Sequence, residues 1–203
     1  SPYLKLEFQP TPWMRLAGGT RAEFFTFDVR NRCPACALQP AGRKDSALLL
    51  PKANLILGPW FNTEFFVNYG EGYHSNDARS VVTNGGVPLA RAKSYEVGLR
   101  TKPCDEVEFI TTLWALDLQS ELVFVGDDGT TEARGPTRRY GLEIGGKGKV
   151  IGPLHFNGSF TWTHAAFRET GQAVPLAPQY TGYAAVLLRW PEGLSSQLQM
   201  THL

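Results

Sequence analysis

The sequence predicts an all-β fold, an antiparallel up-and-down transmembrane β-barrel, of which these residues supply about ten strands of a larger barrel. Three observations predict it. Apolar and polar residues alternate with period two almost throughout, while a 3.6-residue period is hard to sustain over any window of eleven. The connections between alternating stretches are short, then long, then short again. Finally, the apolar residues of each stretch share one phase that excludes nearly all the charges.

The strands follow in order. Residues 3–9 alternate at once, and residues 14–29 continue with an apparent change of phase between Phe24 and Phe25. Residues 51–58 form the third strand. Residues 63–72 set Phe65, Val67 and Tyr69 against Glu64, Asn68, Gly70 and Gly72, with Phe66 out of phase. Residues 94–100 set Tyr95, Val97 and Leu99 against Glu96, Gly98 and Arg100. Residues 107–124 read as one strand carrying Ile110 and Trp114 on an otherwise polar face. Residues 139–145 set Tyr140, Leu142 and Ile144 against Arg139, Gly141 and Glu143. The clearest stretch is 154–164, where Leu154, Phe156, Phe160 and Trp162 oppose His155, Asn157, Ser159 and Thr161. Residues 179–190 and 195–203 complete the set.

Tight Pro- or Gly-bearing turns fall at 10–13, 58–62, 102–106, 150–153 and 191–194, and longer polar connections at 31–47, 74–91, 125–137 and 168–178. Sorting short turns to one end and long loops to the other is the plan of an outer-membrane barrel. A soluble sandwich has no reason to adopt it. Energetics then choose the lipid face, because a Lys or Arg at mid-bilayer costs about 2–4 kcal/mol. A one-residue slip would turn Glu64, Glu96, Arg100, Arg139, Glu143 and Arg189 outward together. The cost is comparable to the roughly 5–15 kcal/mol that holds a domain folded. The apolar phase is therefore the outer one, around a polar, Gly-rich lumen that is wet or plugged.

Composition narrows the function. A net charge of +1 with no basic block and 24 scattered aromatics gives no footprint for nucleic acid. With 42% apolar and 19% charged residues, disorder is excluded. The longest apolar run, 183–188, is far short of a spanning helix. Residues 1–8 read as a strand rather than a signal peptide. Both chain ends lie in strand-like stretches and Leu203 is not a terminal aromatic, so residues 1–203 are expected to be an internal barrel segment.

Four fragments carry a resemblance. Asn68-Tyr69-Gly70-Glu71-Gly72-Tyr73-His74-Ser75-Asn76-Asp77-Ala78-Arg79 looks like a Y-G-x-G-[FY]-x-[SP]-x-D strand-to-loop pattern. Ala92-Lys93-Ser94-Tyr95-Glu96-Val97-Gly98-Leu99-Arg100 is similar to K-S-x-x-Y-E-x-G-L-K shortened by two residues. Arg138-Arg139-Tyr140-Gly141-Leu142-Glu143 is like S-R-G-x-E with Tyr140 as an extra residue, and Val174-Pro175-Leu176-Ala177-Pro178 resembles V-P-x-x-P. In this order, from Leu50 onward, the chain resembles the barrel of TonB-dependent outer-membrane receptors. The resemblance implies a 22-stranded barrel in a Gram-negative outer membrane and energy-coupled uptake of a scarce ligand, often a ferric siderophore or other iron chelate. It implies no bond-making chemistry and no cofactor. The implied partners are outer-membrane lipid, a plug domain of the same protein and the TonB complex, the last two engaging regions with no counterpart in this chain.

Candidate residues follow. Tyr73, His74, Asn76, Asp77 and Arg79 cluster where a strand enters a loop, as ligand or plug contacts or as turn-stabilising hydrogen bonds. Cys33 and Cys36 lie in a long external loop and form a disulfide candidate, while Cys104 sits in a short turn at the other end, so the three cannot share a metal. Lys5, Glu7, Arg15, Arg21 and Glu23 either meet plug groups or form a solvated wall. His164, beside Trp162, belongs to an interfacial girdle, and Trp13, Trp60, Phe61 and Trp190 to the belt beside the short turns. The phosphate-loop spacing around Gly141, Gly146 and Lys147 fails because Gly148 stands where Ser or Thr is required. Asp127-Asp128-Gly129 is too short for a helix-loop-helix calcium loop. Two rivals remain: a complete ten-stranded outer-membrane barrel enzyme, and a soluble β-sandwich or lectin-like binding module.

Overall fold

The computed structural model describes residues 1–30, 41–76, 78–83, 87–125 and 130–203. The strands among the described residues are β1 (Tyr3–Thr11), β2 (Met14–Val29), β3 (Gly42–Trp60), β4 (Thr63–Ser75), β5 (Leu89–Cys104), β6 (Val107–Leu118), β7 (Glu121–Val125), β8 (Thr130–Arg134), β9 (Thr137–Ile151), β10 (Leu154–Phe167), β11 (Tyr180–Arg189) and β12 (Ser195–His202), with an α-helix, α1 (Ala78–Thr83). Ten strands form one sheet in the order β1-β2-β3-β4-β5-β6-β9-β10-β11-β12, while β7 and β8 make a separate hairpin. Every neighbouring pair is antiparallel. The result is an up-and-down arc of wall.

The connections sort as the sequence predicts. Residues 12–13, 61–62, 105–106, 152–153 and 190–194 turn the chain at one end; residues 30–41, 76–88, 119–136 and 168–179 connect strands at the other. In the β3–β4 turn, Phe61 and Asn62 both take positive φ, 52° and 59°. That is the type I′ signature, whose twist matches the strands it joins.

The sheet curls toward its polar face. Asn54, Asn68, Glu96, Thr112, Glu143 and Thr161, one from each of β3, β4, β5, β6, β9 and β10, line a single hollow of about 600 Å³. The opposite, convex face presents Phe65, Val67, Tyr95, Val97, Leu113, Ile144, Phe160 and Val186, all exposed.

The three out-of-phase apolar residues have one explanation. Phe66 stands opposite Gly98, Trp114 opposite Gly141 and Ile110 opposite Gly145. A Cβ on Gly98 would lie 2.5 Å from the Phe66 ring, one on Gly141 2.8 Å from the Trp114 ring and one on Gly145 3.1 Å from Ile110. Each of these three side chains thus packs over a cross-strand glycine where it lines the hollow. The Gly-rich phase and the phase breaks are one feature.

Three expectations are corrected. Strand β2 keeps one phase: its ladder with β3 runs without a shift from Met14↔Leu57 to Val29↔Gly42. Phe25 and Phe27 therefore share the face of Arg15, where α1 covers them. Strand β3 starts nine residues earlier than residue 51, since its charged upper half still pairs with β2. The stretch 107–124 is two strands, β6 and β7, separated at Gln119 and Ser120.

Outside the main wall, Phe27, Val81 and Leu89 form a buried apolar cluster, with Phe25, Leu48, Tyr73, Ala78 and Val82 packed around it. This cluster sits above a seam. The β3–β4 ladder runs only from Lys52↔Gly70 to Trp60↔Thr63, although β3 extends up to Gly42 and β4 to Ser75.

Candidate functional site

Two aromatic bands bound the convex face. Beside the short turns, Trp13 and Trp60 lie 6.1 Å apart and Trp60 and Phe65 6.4 Å apart, with Phe61 exposed in the β3–β4 turn and Trp190 exposed at the β11–β12 turn. Toward the long loops, Tyr69–Tyr95 (5.2 Å), Tyr140–His164 (5.0 Å), Tyr140–Trp162 (6.1 Å) and Phe160–Tyr180 (6.2 Å) form the second band. From Cys104 to Tyr95, Ile151 to Tyr140 and Arg189 to Tyr180, about nine to eleven residues separate the bands. Tilted by about 45°, such strands span the roughly 25 Å apolar height of an outer-membrane barrel.

The concave face is wired with charge. Near the short turns, Glu64 accepts from Arg15 and from Arg100, whose Nε lies 3.2 Å away. Beside it, Glu108 sits between Lys147 (3.3 Å) and Lys102 (3.5 Å). Lys5 pairs with Glu7, and Arg21 with Glu23 at 2.7 Å. The five lumen charges singled out in the sequence are therefore satisfied within the wall. Glu96 and Glu143 differ. Both line the central hollow, Glu96 accepts only from Asn68 Nδ2 at 3.0 Å, and neither has an ion-pair partner among the described residues.

At the loop end of the concave face, a hollow of about 770 Å³ is lined by Arg21, Phe25, Tyr73, His74, Leu118 and Glu121. His74 Nε2 lies 2.8 Å from the Ser120 carbonyl and donates to it, which leaves Nδ1 buried without a partner among the described residues. Glu121 accepts from Thr137 Oγ1 at 2.9 Å and from Arg139 at 2.8 Å. Tyr73 meets Phe25 edge-on at 5.3 Å. Asn76 is buried and clamps its loop instead: Nδ2 donates to the Val87 carbonyl at 2.6 Å and its N–H to the Pro88 carbonyl at 3.1 Å. Arg79 stands in α1. Asp77, Cys33 and Cys36 lie outside the described residues, and Cys104 is an exposed free thiol at the short-turn end.

Sequence reasoning found Tyr73 and His74 but missed Phe25, Leu118 and Glu121, which reach the hollow from β2, β6 and the start of β7. Read as one strand, 107–124 lacks the break at Gln119 and Ser120 that separates Leu118 from Glu121, and a phase change after Phe24 would put Phe25 on the outer face. Above the bands, the β2–β3 hairpin stays charged. Arg30, bonding at 2.8 and 3.1 Å, holds the Asp28 carboxyl below its usual range, and the Thr26 hydroxyl, followed by Arg43, does the same for Asp45.

Residues 1–201 match the family described as TonB dependent receptor-like, beta-barrel. The chain is 25% identical over 152 residues to an uncharacterized TonB-dependent receptor of Haemophilus influenzae, covering 73% of this chain and 43% of that protein. The fold is similar to the ferric-catecholate import receptor Fiu of E. coli K12, with a TM-score of 0.72 at 18% identity, over 98% of this chain and 33% of that one. It is likewise similar to the copper transporter OprC (TM-score 0.76, 15% identity, 98% of this chain and 33% of that one). The ferric yersiniabactin uptake receptor FyuA of Yersinia pestis gives 0.71 at 14% identity, over 98% and 32%. The chain spans less than half of that relative and about a third of each of these structures. A ten-stranded up-and-down arc, apolar outside and charged within, matched along nearly its whole length, belongs to the TonB-dependent receptor β-barrel family, a family of outer-membrane transport receptors.

Proposed function

We propose that this chain forms part of the wall of a receptor in a Gram-negative outer membrane, and that the full-length protein takes up a scarce metal chelate, iron chelates foremost, by TonB-coupled transport. The observation that carries this reading is the opposite chemistry of the two faces of the same strands. An apolar convex face between two aromatic bands suits lipid, and a closed hydrogen-bonded ladder is the only sheet that lipid tolerates.

The mouth hollow supports the ligand class. Its volume is in the range of small-molecule sites, and it offers a guanidinium, two aromatic rings and an unpartnered imidazole nitrogen. Arg21 has five N–H donors and pairs with Glu23 through Nε, so its fork suits an anionic group as well, and the rings suit a flat one. Fiu and FyuA are named for ferric-catecholate and ferric yersiniabactin uptake, ligands of this kind.

The plug of the same protein is the partner we assign to Glu96 and Glu143. A carboxylate facing a filled lumen keeps its charge at low cost only beside a cation. Among the described residues, the other strand carboxylates of the concave face have one in the wall, so a Lys or Arg of the plug completes these two.

The test is uptake of labelled ferric chelates by iron-starved cells carrying the full-length receptor, with and without TonB. We expect saturable uptake that vanishes without TonB, and Arg21→Gln is expected to reduce uptake of anionic chelates about tenfold at equal receptor abundance. Uptake indifferent to TonB would overturn the proposal.

A further inference from the structure

Directly above the loop-side aromatic band, the convex face changes from apolar to charged. One register row across β4, β5, β6, β9 and β10 reads Tyr69, Tyr95, Ala115, Tyr140 and His164. The next row outward reads Glu71, Lys93, Asp117 and Arg138 across the first four of those strands. Arg91 stands one step further out and pairs with Glu71. Arg138 grips Asp117 through Nε at 2.7 Å and a terminal nitrogen at 2.9 Å. Lys93 stands opposite Asp117 in the ladder, and Arg168, two residues beyond Ala166 opposite Arg138, donates its N–H to the Pro136 carbonyl at 2.9 Å. Four cations thus face two carboxylates, and Lys93, Arg138 and Arg168 are exposed.

Taken alone, a cationic cluster is a solvated surface. This one caps an apolar wall, with Tyr95, Val97, Leu113 and Tyr140 exposed immediately below it. A surplus of positive charge over a strip of hydrocarbon-facing side chains is complementary to an upright anionic amphiphile, acyl chains on the wall and head on the row. Lys93 and Arg138 are two strands apart, about 10 Å, which is room for two phosphates at once. Asp117 uses two of the five N–H donors of Arg138, fixing the guanidinium while leaving donors for a ligand.

We propose that this row is a docking site for the phosphorylated glycolipid of the external leaflet, held through its phosphates by Lys93, Arg138 and Arg168. The inference rests on the membrane placement proposed above. The test uses the full-length receptor in detergent and native mass spectrometry with bisphosphorylated lipid A, the same lipid dephosphorylated, and phosphatidylethanolamine as probes. A gel comparing boiled and unboiled samples reports separately on the barrel.

We expect selective retention of bisphosphorylated lipid A, weakened about thirtyfold in Lys93→Gln/Arg168→Gln, which leaves the Arg138–Asp117 pair intact, and restored in Lys93→Arg/Arg168→Lys. Equal retention of the dephosphorylated lipid, or by the glutamine variant, would overturn the docking site while a heat-dependent gel shift upheld the barrel. Identical migration with and without boiling would sink the membrane placement and the site with it.

Discussion

On strand β6, Leu113 and Trp114 are neighbours in sequence and opposites in circumstance. Leu113 stands on the convex face, 57% exposed, between Val97 and Leu142. Trp114 stands on the concave face and lies over Gly141. On the proposed membrane placement the first is stabilised by lipid, the second by a missing side chain on the next strand. An apolar residue in a barrel wall thus does not announce which face it is on. Its cross-strand partner does.

The comparison is broken most severely by placing charge on each side. Leu113→Arg is expected to lose about 2–4 kcal/mol, whereas Thr112→Arg, beside Glu143 on the concave face, stays within about 0.5 kcal/mol. Urea unfolding of the full-length receptor in lipid measures both, and equal losses would mean that the faces are assigned wrongly. A smaller effect sharpens the glycine half of the argument. Gly98→Ala and Gly141→Ala drive a methyl group against the Thr111 and Trp162 carbonyl oxygens as well as the Phe66 and Trp114 rings and are expected to cost about 1–3 kcal/mol. Gly70→Ala, with nothing within 4 Å of the new methyl group, is neutral or slightly stabilising. Indifference at Gly98 and Gly141 would show that the rings are not held there. Least of all, Lys5→Ala should shift the same unfolding midpoint by less than about 0.5 kcal/mol, because its pair with Glu7 is exposed on both sides.

Much of the wall was legible because an apolar convex face and a polar concave face impose alternation on every strand that crosses between the aromatic bands, as on β10. Legibility failed where that constraint ends. Above the bands, Arg43, Lys44 and Asp45 are charged on successive positions, since water bathes both faces, and the upper half of β3 read as loop. Phe24 and Phe25 are both apolar because one faces outward and the other lies under α1. The helix itself, six residues long, is too short for any periodicity window. The same limit hid half of the mouth: Tyr73 and His74 carried a motif, but Phe25, Leu118 and Glu121 are joined to them only by the curl of the sheet.

The seam between β3 and β4 gives the rim an unusual joint. Below Lys52 and Gly70 the two strands are knitted by amide to carbonyl; above it, among the described residues, the β2–β3 hairpin meets the rest of the rim through the Val81 contact cluster of α1 and not through a shared ladder. Adhesion across that joint is a matter of methyls and rings. It therefore weakens on cooling and in chaotropes while the backbone weave beneath it holds, so the collar yields before the wall does.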